Sequence, residues 1–127
     1  MAKKILSVLS HPEYGNLEDS DIGLFASAFA PVAGSRVTIL LSDDAVNYGV
    51  RGQAGTGIEI AGAKVQPGFL IETDIRSVQQ ADIPVYAFAE DLQERGIAPG
   101  DLIEGIETIS RNDFGRFVDQ FDTVWNW

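Results

Sequence analysis

Cysteine is absent from this sequence of 127 residues. Without thiols the chain forms no disulfide bond and offers no thiolate ligand to a metal. Histidine is nearly absent too, because His11 is its only example. Zinc and copper sites in proteins need several nitrogen or sulfur ligands. The sequence therefore predicts no metal site and no cofactor.

Basic residues are scarce, with 9 lysines and arginines against 19 acidic residues and a net charge of −10. A surface of this charge repels nucleic-acid phosphates and anionic lipids. The only adjacent basic pair is Lys3-Lys4, beside an apolar run too short for a signal peptide. No apolar run approaches the roughly 20 residues of a membrane span. We therefore expect a cytoplasmic protein that binds neither nucleic acid nor membrane.

The length and composition are those of one ordinary domain. Hydrophobic residues make up 45% of the chain and charged residues 22%, which is typical of soluble globular proteins. No linker, repeat or change of composition divides the sequence. We therefore expect a single domain over residues 1–127.

Short apolar runs alternate with segments of helical periodicity. In the first helical segment, Ile22, Phe25, Ala26 and Phe29 are spaced to form one apolar face. The alternation predicts a flavodoxin-like α/β fold, a three-layer α/β/α sandwich around a mostly parallel five-stranded sheet. The predicted strands are Lys4–Ser10, Arg36–Leu41, Ile83–Phe88, Ile106–Ile109 and Asp122–Trp127, and the predicted helices are Ile22–Phe29, Phe69–Gln80, Glu90–Arg95 and Phe114–Phe121.

Three shorter patterns complete this prediction. Residues Ile58–Val65 predict a small β-hairpin around Ala61-Gly62. Gly96 follows the third helix at the position where glycine commonly ends a helix. Ser110 and Asp113 have the spacing of a helix N-terminal cap.

The ordered set of these segments resembles the DsrE/DsrF-like sulfur-relay proteins, which include the subunits of the Tus relay for tRNA thiolation. The resemblance covers most of the chain and is weakest over Ala54–Gly68. The segments that carry it are the opening strand KKILSVLS with Tyr14-Gly15, Asp44-Ala45-Val46 with Gly52-Gln53, VYAFAEDLQERGI at 85–97, and Asp101–Gly105.

The resemblance implies an α/β/α sandwich that assembles as a trimer or hexamer, often with related subunits. In active members a cysteine near the helix after the third strand carries a sulfane sulfur, and the helix N-terminus stabilises its anion. The corresponding segment here is Phe88–Asp91, which has carboxylates and no thiol. Persulfide transfer is therefore excluded. The resemblance implies a non-catalytic structural, regulatory or partner-binding subunit, with no catalytic residue of its own.

Two other functions fit the same residues. In the first, a crevice near His11, Tyr14, Gln53 and Asp91 binds a small polar ligand or nucleotide, because open α/β sheets bind ligands at the carboxyl ends of their strands. Phe88 and Glu90 belong to this candidate ligand site as well. In the second, Asp91 or Glu90 acts with His11 as an acid/base pair. Against both stands a structural interpretation, in which the two acids stabilise a helix N-terminus.

Three further patterns have structural interpretations that we prefer. The glycines at 52, 55 and 57 lack the Lys-Ser/Thr of a phosphate-binding loop, and a mobile loop or a hairpin explains them. The acids Glu18-Asp19-Asp21 and Asp43-Asp44 fit helix starts better than a magnesium site. Trp125 and Trp127 fit either a packed final strand or a subunit interface.

Overall fold

The computed structural model of the protein describes residues 3–12, 22–53, 58–65 and 71–127. Seven strands and four α-helices lie in these ranges, joined in part by 3₁₀ turns. The strands are β1 (Lys4–Leu9), β2 (Arg36–Leu41), β3 (Ile58–Ile60), β4 (Ala63–Val65), β5 (Val85–Phe88), β6 (Glu107–Ile109) and β7 (Thr123–Asn126). The helices are α1 (Ile22–Phe29), α2 (Ile71–Gln80), α3 (Ala89–Glu94) and α4 (Phe114–Val118). None of these helices is long and apolar enough to cross a membrane.

Five strands form one sheet in the order β6-β5-β2-β1-β7, and every pair in it is parallel. The chain first builds the sheet in one direction, from β1 to β6. It then returns through α4 and adds β7 beside β1. The predicted α/β fold with a five-stranded sheet is confirmed, and the sheet is wholly parallel.

Alternate residues of the strands face opposite sides of the sheet. On one side Ile5, Ile39 and Val85 pack against α2 and α3 in the larger core. On the other side Leu6 and Leu40 pack in a second core with aromatic residues of α4. Strand residues buried on both faces explain why β1 and β2 are continuous apolar runs rather than alternating ones.

One residue of the predicted apolar face of α1 does not lie in the core. Phe29, predicted to lie on that face, is 56% exposed, whereas Ser27 and Ala30 are buried. The Ser27 hydroxyl donates to Ser7 Oγ of β1 at 2.6 Å. This bond pairs two buried hydroxyls, which explains why Ser27 rather than Phe29 faces the sheet.

The predicted hairpin over Ile58–Val65 forms as the antiparallel pair β3 and β4. Its turn residues Ala61 and Gly62 have φ angles of 51° and 82°. Two successive positive φ angles are typical of a two-residue turn that matches the twist of the flanking strands. Within the described part of the chain, the hairpin forms a two-stranded sheet separate from the main one.

Candidate functional site

The neighbouring strands β2, β5 and β6 end at the same edge of the sheet, and charged residues follow each of them. Asp43 follows β2, Glu90 and Asp91 follow β5, and Arg111 follows β6. Because the strands are parallel and adjacent, their carboxyl ends share one edge of the sheet. We call Asp43, Glu90, Asp91 and Arg111 the Arg111 cluster.

Asp91 is the buried centre of this cluster, with only 2% of its surface exposed. Its two carboxylate oxygens lie 2.8 and 2.6 Å from Nη2 of Arg111. The backbone N–H of Asp43 donates to the same carboxylate at 2.8 Å. A buried carboxylate is stable only when it is paired and hydrogen-bonded, and Asp91 meets both conditions.

Arg111 reaches Asp91 across the surface of the molecule. Its guanidinium carbon lies 4.3 Å from the centre of the Phe88 ring. Its Nη2 also lies 3.5 Å from Oδ1 of Asp43, and 47% of the side chain is exposed. The aromatic face and two carboxylates thus hold one cation in a fixed position. Phe88, a predicted site residue, contributes here as the platform for Arg111.

Glu90 binds the backbone that leads into Arg111. Its carboxylate accepts hydrogen bonds from the Arg111 backbone N–H at 2.7 and 3.2 Å and from the Ser110 hydroxyl at 2.8 Å. Ser110 in turn caps the 3₁₀ turn Arg111–Asp113 by accepting from the Asn112 N–H at 3.2 Å. Glu90 therefore fixes the loop after β6, and with it the start of the Arg111 side chain.

Glu90 and Asp91 at the start of α3 are both held in the ionised form. Burial by itself raises the pKa of Asp91, but the hydrogen bonds from Arg111 and the Asp43 N–H, with the Arg111 and Arg95 charges, lower the pKa by more. The pKa of Glu90 is lowered by its hydrogen bonds to the Arg111 N–H and to Ser110. The pKa of Arg111 is raised by its hydrogen bonds to Asp91. Neither carboxylate is thus poised to donate a proton at neutral pH.

A second ion pair extends the network behind Asp91. Nε and Nη2 of Arg95 donate to Oδ1 of Asp44 at 3.0 and 2.8 Å, while its Nη1 donates to the Asp91 carbonyl at 3.1 Å. The acids Asp43 and Asp44, considered above as magnesium ligands, are thus both engaged by arginines. In the ranges that the structure describes, no group of three potential metal ligands is found.

The other predicted site residues lie apart from this network. His11 is exposed and follows β1, two strands away from β5, which corresponds to about 10 Å at the spacing of neighbouring strands. Gln53 is exposed, and its side-chain amide donates to the Val50 carbonyl at 3.1 Å and to the Asn47 carbonyl. Tyr14, like the acids Glu18-Asp19-Asp21, falls outside the described residues.

Reasoning from the sequence missed Arg111, on which the whole cluster depends. Arg111 is 20 residues from Asp91 along the chain, and no local motif links the two. The available signal is its position directly after the strand Ile106–Ile109, which a parallel sheet places at the same edge as Asp91. The partner of Asp91 was therefore predictable from topology rather than from spacing.

Comparisons with known proteins identify the fold. No protein-family model matches the chain, and no relative was found among curated protein sequences. YchN from E. coli superposes with a TM-score of 0.69 at 20% sequence identity, over 100% of both chains. MTH1491 from Methanobacterium thermoautotrophicum, described as a protein of unknown function, superposes with a TM-score of 0.61 at 12% identity, over 98% of this chain and 99% of MTH1491. Both are DsrE/DsrF-like fold proteins, and the chain shares their fold.

Proposed function

We propose that this protein is a cysteine-free relative of the DsrE/DsrF-like sulfur-relay proteins that acts as a structural, regulatory or partner-binding subunit of an oligomer. The shared fold over the full length of YchN supports the proposal. So does the absence of cysteine, since no residue of this chain is able to carry a sulfane sulfur.

One observation carries the proposal most directly. At the start of α3, where the family resemblance calls for a reactive thiol, the buried residue is Asp91. Its carboxylate oxygens are occupied by Arg111 and by the Asp43 N–H. A carboxylate held in this way is a structural element, and it is not free to act as a nucleophile.

The acid/base alternative has less support from this geometry. Asp91 and Glu90 share the same arginine and are held as anions. His11 lies two strands away from them, beyond the hydrogen-bond reach that joint proton transfer to one substrate requires.

Assembly is supported by apolar side chains on the surface. Val32 is 83% exposed, Phe29 56%, and Trp127 and Val124 are each 37% exposed. Val124 and Trp127 belong to β7 and the residue after it, at an edge of the sheet. Exposed apolar groups at a sheet edge are typical of surfaces that pair with another chain. Two kinds of assembly fit this surface. One is a homo-oligomer, either a trimer or a hexamer, and the other is a hetero-oligomer with related subunits.

The test is to restore the thiol. In Asp91→Cys the new thiol lies beside Arg111 at the start of α3, so its thiolate should be stabilised and should take up sulfur from a persulfide donor. The matched control is Ala89→Cys, an exposed position two residues earlier on the same helix. Mass spectrometry should show a stable sulfane adduct on Asp91→Cys, much less on Ala89→Cys, and none on the unaltered protein.

The rates of alkylation against pH complete this experiment. We expect the thiol of Asp91→Cys to have a pKa lower than that of Ala89→Cys, because only the former contacts the guanidinium. Equal pKa values and equal sulfur uptake would show that the site does not favour a thiolate, and the proposed relation to a sulfur-relay site would then be rejected. Circular dichroism of both variants verifies that they are folded.

A further inference from the structure

A cavity of about 560 Å³ lies at the edge of the sheet opposite to the Arg111 cluster. It opens where β1 and β2 begin and where the loop after α2 leads into β5. The exposed Pro84 and the half-buried Phe121 supply apolar walls. This volume and this largely apolar lining are those of sites that bind small molecules.

Two cations stand side by side at this cavity. Lys4 and Arg36 are register partners on the neighbouring strands β1 and β2, which lie about 4.8 Å apart in a sheet. Strand alternation places both side chains on the face of Leu6 and Leu40, where Phe121 also packs. Like charges on directly opposed strand residues repel each other. An anion bound between them would remove this repulsion.

The cations of this cavity differ from the paired arginines of the molecule. Arg76, Arg95, Arg111 and Arg116 each form an ion pair. Among the described residues no carboxylate lies within ion-pair distance of the Lys4 or Arg36 side chains. Both residues are exposed, and in a chain with a net charge of −10 they place two positive charges side by side at one cavity.

The cavity also has one acidic side chain, Asp82. Its φ angle of 62° and the bond from its N–H to the Gln79 carbonyl at 3.1 Å hold the turn that ends α2. The nearby Asp122 carboxylate is directed elsewhere, since it accepts from the Lys4 backbone N–H at 2.8 Å. With Asp82, the charges of the lining leave one net positive charge. One net positive charge neutralises a singly charged anion, whereas an anion with two charges would keep one of them uncompensated away from water.

We propose that this cavity binds a small organic monoanion, a carboxylate attached to an apolar body. The carboxylate would lie between Lys4 and the planar guanidinium of Arg36, which matches a carboxylate in bidentate geometry. The apolar body would cover the walls formed by Phe121 and Pro84. This site is separate from the Arg111 cluster and independent of the function proposed for it.

The test uses benzoate and hexanoate as probes, with inorganic phosphate as the multiply charged comparison. Isothermal titration with the unaltered protein should show saturable binding of at least one of the two carboxylates at millimolar concentration, and weaker binding of phosphate. Arg36→Gln and Lys4→Gln should each weaken carboxylate binding at least tenfold, because each removes one of two charges that contact the anion. Asp82→Asn should strengthen it, since it removes the opposing charge.

Lys3→Gln is the matched control, because it removes the same charge from the exposed neighbour of Lys4 that does not line the cavity. It should leave carboxylate binding within twofold of the unaltered protein. Chemical-shift changes in amide NMR spectra should centre on the first residues of β1 and β2. Absence of saturable carboxylate binding, tighter binding of phosphate, or equal losses in Lys3→Gln and Arg36→Gln would each overturn the proposal.

Discussion

At the scale of single residues, the pair of Asp91 and Arg111 is asymmetric. Asp91 is almost fully buried, whereas about half of the Arg111 side chain is in contact with solvent. Replacing Asp91 would leave Arg111 in contact with solvent, whereas replacing Arg111 leaves the buried Asp91 without its main counter-charge. The cost of breaking the pair therefore falls on the carboxylate.

Arg111→Gln should lower the free energy of unfolding by about 2 kcal/mol, because a buried carboxylate keeps only its bond from the Asp43 N–H. Solvent around Arg111 makes this less than the loss expected for a fully buried pair. The control is Arg116→Gln, whose pair with Asp113 is exposed on both sides and should change stability by less than about 0.5 kcal/mol. Urea unfolding measures both, and equal effects would contradict a structural role for Arg111.

The depressed pKa of Asp91 makes this contribution depend on pH. A carboxylate with a lower pKa in the folded state stabilises the protein above its unfolded pKa, and the stabilisation is lost as pH falls through the folded value. Asp91→Asn should therefore be less stable than the unaltered protein near neutral pH. The difference should shrink below about pH 4, the ordinary range of aspartate.

Urea unfolding from about pH 7 to about pH 3 measures that difference. The control is Asp119→Asn, at an exposed position, which should change stability little near neutral pH. A difference between Asp91→Asn and the unaltered protein that stays constant over this range would show that Asp91 has no depressed pKa in the folded state.

The candidate site was only partly predictable from its residues. The acids Glu90 and Asp91 stood out because they follow a buried strand and begin a helix. Their partners did not, because Asp43 and Arg111 are 48 and 20 residues away from Asp91 and meet it only once β2, β5 and β6 are adjacent. Strand order is a property of the folded sheet, and no local pattern contains it.

At the scale of elements, the end of α3 depends on one backbone conformation. Gly96 has a φ angle of 67°, and its N–H donates to the Gln93 carbonyl at 3.1 Å. The next N–H, of Ile97, donates to the Leu92 carbonyl at 2.9 Å. A left-handed glycine after the last turn thus satisfies carbonyls that α3 leaves without helical partners.

Gly96→Ala should destabilise the protein by about 1 kcal/mol, because only the backbone conformation opposes the new methyl group. No atom lies within 4 Å of the position that its Cβ would occupy. Gly100→Ala is the matched control, since its Cβ position is equally open and its φ angle is not positive. Thermal unfolding should show a lower midpoint for Gly96→Ala alone. Equal unfolding midpoints would show that the end of α3 does not depend on the positive φ angle of Gly96.

Elements were more predictable than their ends or their orientation. The strands at Lys4–Leu9 and Arg36–Leu41 followed from continuous apolar runs, because both of their faces are buried. The helix predicted over Phe114–Phe121 instead ends at Val118, although Phe121 still packs in the second core. Apolar spacing records which residues are buried, and it does not record where the helical hydrogen bonds stop.

At the scale of the whole molecule, charge and exposed apolar surface act in opposite directions. The net charge of −10 keeps copies of the chain apart, while exposed groups such as Val32 and Trp127 favour contact. Salt screens the repulsion and strengthens the apolar contribution relative to it.

Sedimentation should therefore show an assembly of three or six chains of 13.7 kDa that becomes more stable as the salt concentration rises. If related subunits are needed for assembly, the same experiment should show heavier particles only when they are added. A monomer at every salt concentration and with every related subunit would contradict the proposed oligomer.

The position of β7 has a consequence for the order in which the sheet forms during synthesis. β7 pairs with β1, and the bond from the Lys4 N–H to Asp122 joins residues 118 positions apart. During synthesis β1 is the first of these strands to be made and β7 is the last. The edge of β1 that pairs with β7 therefore has no partner from this sheet until β7 has been synthesised. Contacts this distant in sequence close slowly, because a long loop must be ordered first. The protein is therefore most exposed to mispairing with a second nascent chain along β1, just before β7 arrives.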